Sequence, residues 1–207
     1  MSINTAAYGM LNPRHLERIK ATLNKSTEEY PRTLLVRVDL FVPDESYNSD
    51  SGLITRFHES LKAQIEADMR GRGKMGKRVH LCKVRFVWAR EFHECGRKHY
   101  HVALFLNKDT YAYPGTYRPS EQGDYIHNLA FMIMEAWART LKRNCEEESK
   151  QYYPDINFPS PCYMHLNRNG KHYQYEHKKA LDWINYLAKE YSKDYSDGHR
   201  NFGSSQY

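Results

Sequence analysis

The segment Lys98-His99-Tyr100-His101-Val102-Ala103-Leu104-Phe105-Leu106 sets two histidines two residues apart in a run with the composition of a β-strand. In an extended chain, residues i and i+2 point to one face, so both imidazoles are placed to share a cation. Just upstream, Glu94-Cys95-Gly96 reads as a three-residue hairpin loop with glycine at the left-handed position, pairing His93 with Arg97, Glu91 with His99 and Ala89 with His101. That register brings the Glu91 carboxylate beside both histidines. Glu94, set in the turn, is the rival third ligand, and a one-residue slip would carry Glu91 to the other face. Two imidazoles and a carboxylate form a mixed nitrogen and oxygen set suited to Mg²⁺ or Mn²⁺ acting on phosphate, and zinc would also accept it.

Near the other end, Trp183-Ile184-Asn185-Tyr186-Leu187-Ala188-Lys189 places Lys189 one helical turn after Tyr186 and Asp182 one turn before it. A phenol is a weak nucleophile at neutral pH because its pKa is about 10, and a neighbouring ammonium or metal ion favours the phenolate. Lys189 could supply that charge or hold a nucleic-acid backbone. With 17 tyrosines in the chain, residue type alone does not single out Tyr186.

These residues need elements to hold them. Asn12-Pro13 caps a short helix over His15 to Lys25, with Leu16, Ile19 and Leu23 on one side. Thr33 to Val42 is rich in β-branched residues and reads as a central strand. Ser51 to Arg70 repeats Ile54, Phe57, Leu61, Ile65 and Met69 and reads as a long helix. Strand-like runs follow at Val79 to Glu91 and His99 to Leu106, then a Tyr/Pro/Gly-rich loop over Lys108 to Gly123. A second long helix is expected over Asp124 to Asn144. Tyr163 to Leu166 and Tyr173 to Tyr175, flanking Asn169-Gly170, read as a hairpin. The last helix is expected over Glu176 to Lys193, with Ala180, Trp183, Ile184 and Leu187 inward, and the tail over residues 196–207 as loose. This order gives an α+β fold, a central antiparallel β-sheet with helices packed on it.

The length of 207 residues suits one domain spanning 1–207, and 40% hydrophobic residues with 14% aromatics exclude a disordered chain. The longest apolar run, Leu129 to Met134, is too short to span a membrane, and Met1 to Leu11 lacks the pattern of an export signal. Cys82, Cys95, Cys145 and Cys162 are scattered and read as reduced thiols in a cytoplasm. Lys and Arg number 31 against 25 Asp and Glu, net +6. The stretch Arg70 to Lys98 holds ten basic residues against Glu91 and Glu94, or +8, which leaves −2 for the remainder. One basic segment on a balanced chain points to a polyanion met at one place, and Lys74, Lys77 and Arg78 are its candidate DNA-backbone contacts.

Taken together, His99-Tyr100-His101 and Trp183 to Lys189 resemble the HUH endonucleases, the superfamily of rolling-circle replication initiators and relaxases. More narrowly, Val87-Trp88-Ala89-Arg90-Glu91 leading to His99-Tyr100-His101-Val102-Ala103-Leu104-Phe105 is similar to the prophage YagK/YfjJ-type domain, also found as the replication protein of filamentous phages. The likeness covers roughly Thr33 to Lys193. It implies a ferredoxin-like or RRM-like palm and a nicking and rejoining enzyme that starts rolling-circle replication of a phage or prophage element. Tyr186 would be the nucleophile, forming a 5′-phosphotyrosine. Lys189 would be its helper, and His99, His101 and Glu91 would hold Mg²⁺ or Mn²⁺. The implied partners are single-stranded DNA or an origin hairpin, with a host helicase and polymerase, since no helicase-type phosphate loop is present; the implied place is the cytoplasm of a bacterial host. Tyr191 and Tyr195 leave a two-tyrosine scheme open. Two other readings remain: a non-catalytic DNA-binding prophage regulator on the same fold, and a zinc hydrolase of a small molecule, which would use neither the basic segment nor Tyr186.

Overall fold

The computed structural model describes residues 9–92, 96–141, 153 and 155–206. Among them the order is α1 (Pro13–Glu29), β1 (Arg32–Phe41), α2 (Leu53–Lys74), β2 (Arg85–Phe92), β3 (Lys98–Asn107), α3 (Leu129–Thr140), β4 (Ile156–Asn157), β5 (Tyr163–Asn167), α4 (Tyr173–Ile184) and β6 (Phe202–Ser204). The fold is α+β: one open, antiparallel, six-stranded sheet in the order β4-β1-β3-β2-β6, with β5 also paired to β1.

Strand alternation sorts β1, β3 and β2 into two faces. Leu34, Val36, Val38, Leu40, Tyr100, Val102, Leu104, Leu106 and Trp88 join Phe57, Leu61, Ile133 and Trp137 in a core under α2 and α3. Leu35, Val87, Ala89, Ala103 and Phe105 join Ile19, Leu23, Ala180, Ile184 and Leu187 in a second core under α1 and α4. Each fully buried Val, Leu, Ile or Phe side chain contributes about 1.5–3 kcal/mol relative to exposure.

The Asn12 cap is observed, its side chain accepting from the His15 N–H with Pro13 at the first turn, and α1 runs on to Glu29. The strands expected at Thr33 to Val42 and His99 to Leu106 and the long helix expected over Ser51 to Arg70 are present as β1, β3 and α2, and other expectations need correction. Residues 79–84 are not strand: Thr110 and Asn107 side chains take the His80 and Leu81 carbonyls, and the Tyr30 hydroxyl takes the Lys83 N–H, so side chains replace a ladder. The helix expected from Asp124 begins only at Leu129, where Asn128 caps it by accepting from the Phe131 N–H; its expected end beyond Leu141 lies outside the described residues. Asn169-Gly170 does not close a hairpin. Gly170 lacks the positive φ that a two-residue hairpin turn needs, β5 pairs with β1 instead, and Tyr173 to Tyr175 open α4.

The last helix is also shorter than expected. It ends at Ile184, and Asn185–Ala188 form a 3₁₀ turn. The Ala188 carbonyl accepts from the Asn12 N–H and the Glu190 N–H donates to the Met10 carbonyl, so a distant segment claims the backbone groups a longer helix would use. The tail expected to be loose supplies β6 on the outer edge of β2. No helix among the described residues is long and apolar enough to cross a membrane.

Candidate functional site

One end of the α1/α4 face of the sheet is polar. The expected hairpin register is the one observed, with Glu91 opposite His99 and Ala89 opposite His101, and Gly96 adopts φ +77°. His93, Glu94 and Cys95 lie outside the described residues, so the structure does not place the rival ligand Glu94 or the His93 pairing. On the other side of β3, β1 sets Asp39 opposite His101 and Phe41 opposite His99.

His99 Nε2 is 3.1 Å from His101 Nε2, which is 3.2 Å from Glu91 Oε2; His99 Nε2 to that same oxygen is 3.9 Å. One ligand atom from each of the three residues lies within 4.8 Å of the others, so the group could hold one metal ion. Two further observations fit a cation here. Glu91 Oε1 is buried with no hydrogen-bond partner among the described residues, a costly state unless something else binds it. The His101 Nδ1 side meets Asp39 Oδ1 at 2.6 Å, and a proton held there leaves Nε2 with its lone pair toward the triad. Asp39 in turn accepts from the Asn157 side chain on β4.

Burial holds the His99 ring low, at about 4, with His101 adding to the effect, so His99 is neutral and able to donate a lone pair at neutral pH. Burial pulls His101 the same way, but the hydrogen bonds and charges of Asp39 and Glu91 reverse it and raise its pKa. For Glu91, burial acts upward and is overcome by His101 and Lys189, leaving the carboxyl at about 2. The Asp39 carboxyl is likewise lowered, burial being outweighed by His101.

Tyr186 sits on the 3₁₀ turn, not within α4, and is 7% exposed. Its ring stands edge-on to His101 at 5.3 Å, and the Arg37 guanidinium lies over it at 4.2 Å. Burial pushes the phenol up; Arg37 opposes the rise and Asp39 adds to it. The turn is braced by Lys193, a buried ammonium that donates to the Leu187 and Lys189 carbonyls. Lys189 does not share a helix face with Tyr186, because the chain is extended there. Its ammonium lies 2.8 Å from Glu91 Oε2 and 5.8 Å from the Tyr186 ring.

The structure therefore gathers Glu91, His99, His101, Tyr186 and Lys189. It sets Lys74, Lys77 and Arg78 apart: they are exposed at the far end of α2, whose 22 residues span about 33 Å, on the opposite face of the sheet. Other members of the basic stretch are tied internally, Arg72 to Asp68, Arg85 to Glu29 and Arg90 to Asp197. Sequence reasoning missed Arg37 and Asp39. The signal was there, since two charges at i and i+2 in the otherwise apolar run Thr33 to Val42 must fall on one face.

Comparison with known proteins gives a family and two relatives. The YagK/YfjJ C-terminal domain matches residues 1–205. The uncharacterized protein YagK of Escherichia coli (strain K12) is 35% identical over 205 residues, covering 93% of this chain and 94% of that protein. The uncharacterized protein YfjJ of the same strain is 28% identical over 201 residues, covering 92% of each. No solved structure matches.

Proposed function

The chain belongs to the YagK/YfjJ family, and we propose that it is a metal-dependent endonuclease that nicks and rejoins a single DNA strand, on the pattern of the HUH endonucleases. The observation that carries this reading is the contact between two groups: a Glu/His/His cluster able to hold a cation, and a tyrosine ring 5.3 Å from one of its histidines. Mg²⁺ or Mn²⁺ held by Glu91, His99 and His101 would withdraw charge from a non-bridging phosphate oxygen.

The chain's own residues do the rest. Tyr186 Oη loses its proton and bonds to phosphorus; the bond from phosphorus to the 3′ oxygen breaks, and that oxygen takes a proton to leave as a 3′-hydroxyl. The 5′-phosphotyrosine conserves the phosphodiester, so the reverse reaction rejoins ends. Arg37 opposes the rise in the phenol's pKa, while Asp39 and Glu91 add to it, so neutralising those carboxylates favours the phenolate. Asp39 fixes the His101 ring. Lys189 lies near enough to steady the phosphate once it leaves Glu91. In this role the chain starts rolling-circle copying of a phage or prophage element in a bacterial cytoplasm, with host helicase and polymerase as partners.

The test is incubation with a pool of single-stranded DNA and Mn²⁺, with and without chelator, followed by a denaturing gel. A metal-dependent protein–DNA adduct that vanishes in Tyr186→Phe is expected; an adduct that persists in that variant moves the nucleophile to another tyrosine. The burial of Tyr186 favours a second reading, a DNA-binding prophage regulator without catalysis. Salt-sensitive binding with no adduct, even on the source element's own strand, would select it.

A further inference from the structure

The charges at the polar end of the α1/α4 face can be paired off, and one remains. Glu91 is held by Lys189, and Asp39 by His101 and Asn157. Arg37, the next residue along the same face of β1, makes no ion pair among the described residues. Its Nε is buried with no hydrogen-bond partner among the described residues.

This is not a surface arginine resting where it can. Its backbone is fixed on both sides of a central strand, opposite Ala103 in β3 and donating its N–H to the Cys162 carbonyl at 2.8 Å. Its guanidinium lies 4.2 Å from the Tyr186 ring, whose hydroxyl it also hydrogen-bonds, and 5.0 Å from the Trp183 ring. Aromatic faces attract the cation, for about 0.5–2 kcal/mol each, but they do not saturate in-plane N–H donors. With Nε left over and no carboxylate within ion-pair distance among the described residues, although the Asp39 charge is felt nearby, this half-buried guanidinium can take a further anion, and the planar fork suits the oxygens of a phosphate.

We propose that Arg37 is the phosphate-binding residue of this site, taking a non-bridging oxygen of a single DNA strand beside the Tyr186 hydroxyl. The proposal rests on the nicking role argued above and names the group that brings phosphorus within reach of the tyrosine. Lys189 does not fill that place while its ammonium is on Glu91, and Lys74, Lys77 and Arg78 stand at or just beyond the C-terminal end of α2. A free phosphate or nucleotide would offer the same oxygens as a strand, so the test separates the two.

The measurement is equilibrium binding of a fluorescein-labelled, twelve-nucleotide single strand of random sequence, by anisotropy over a salt series in chelator, where no bond is made or broken. Arg37→Met is expected to weaken binding about tenfold and to flatten the plot of log affinity against log salt by about 0.7, the value for one phosphate contact on a single strand. Arg37→Gln, which keeps a planar head without the charge, is expected to do the same and decides the matter if the Met variant does not fold by circular dichroism. Folded variants that bind within twofold of wild type with an unchanged slope would overturn the proposal. So would displacement of the strand by low millimolar inorganic phosphate in wild type but not in Arg37→Gln, which would give the residue to a free phosphate. Since these arms need no chemistry, a wild-type chain that forms no adduct would remove the nicking role and leave this result standing.

Discussion

The same end of the same three strands carries charge on both faces of the sheet, and the two faces treat it differently. On the α2/α3 face, Arg90 donates twice to Asp197 and twice to the Asn201 side chain, and Lys98 donates to the Asn48 and Asp50 carbonyls. Both side chains are buried and their donors are met by the chain's own tail and loop. On the α1/α4 face, Glu91 Oε1 and Arg37 Nε are buried with no hydrogen-bond partner among the described residues. Buried charge that is internally saturated fastens the fold, while buried charge left unsaturated costs stability and is ready for something from outside. The candidate site draws on the second pair of charges.

The largest effect expected from breaking this contrast is on the saturated face. Arg90→Met strands Asp197 and Asn201 and releases the segment that leads to β6, so unfolding by urea should show a loss of about 3 kcal/mol. Calorimetric titration with Mn²⁺ should find its metal affinity unchanged. A large loss of metal binding in this variant would mean that the two faces do not act separately.

Next in size is Asp39→Asn on the open face. The carboxylate holds His101 by its Nδ1 side, and the amide keeps the shape while removing the charge and reversing the donor choice. Metal affinity should fall about 10-fold to 100-fold with little change in stability, as for other carboxylates that orient a histidine ligand. Equal affinities for the Asp39→Asn variant and wild type would show that His101 needs no orienting partner.

How much of this contrast could be read from the sequence depends on how local its causes are. The triad register follows from one turn, since Gly96 at positive φ fixes which residue of β2 faces which residue of β3. The apolar stripes of α1 and α2 and the cap at Asn12 are local too, and they were legible. The tyrosine turn was not, because it is set by Met10 and Asn12 taking the backbone of Ala188 and Glu190 from far along the chain. Phe202 to Ser204 has no strand pattern of its own; it becomes one because β2 offers an edge and Arg90 anchors the loop before it. Asn169-Gly170 misled for the opposite reason, a strong local signal overridden by β1 as a better partner for β5.

Two histidines sharpen the comparison through pH. His58 on α2 is stacked on Phe86 at 3.5 Å with neither ring nitrogen bonded among the described residues, and burial drives its pKa well below the ordinary value, with Lys62 adding to the effect. The folded protein therefore refuses a proton that the unfolded chain accepts below about pH 6.5, so the His58 contribution is fully present above that pH and is lost as pH falls. His101, raised between two carboxylates, has the opposite sign: its contribution is fully present below about pH 6.5 and lost as pH rises through the folded value. His58→Phe should stabilise the protein by about 2 kcal/mol more at pH 5 than at pH 8, read from urea midpoints. The same gain at both pH values would show that His58 is protonated in the fold.

The smallest effect is the one that touches the open face most directly. The charge on Glu91 is met by the Lys189 ammonium, 2.8 Å from the oxygen that also faces His101. A cation entering the triad competes with that ammonium for Glu91, so the lysine's hold is subtracted from the metal's affinity. A hydrogen bond between charged groups is worth about 1.5 kcal/mol at the low end, about tenfold in binding. Lys189→Met, which keeps the packing of the stem, should bind Mn²⁺ about tenfold more tightly by calorimetry while forming adduct more slowly, because the freed ammonium is no longer there to meet the phosphate. Weaker Mn²⁺ binding in this variant would mean that Lys189 supports the metal geometry and does not stand in for the ion. The open face would then be held in shape by its own cation, much as Arg90 and Lys98 hold the other.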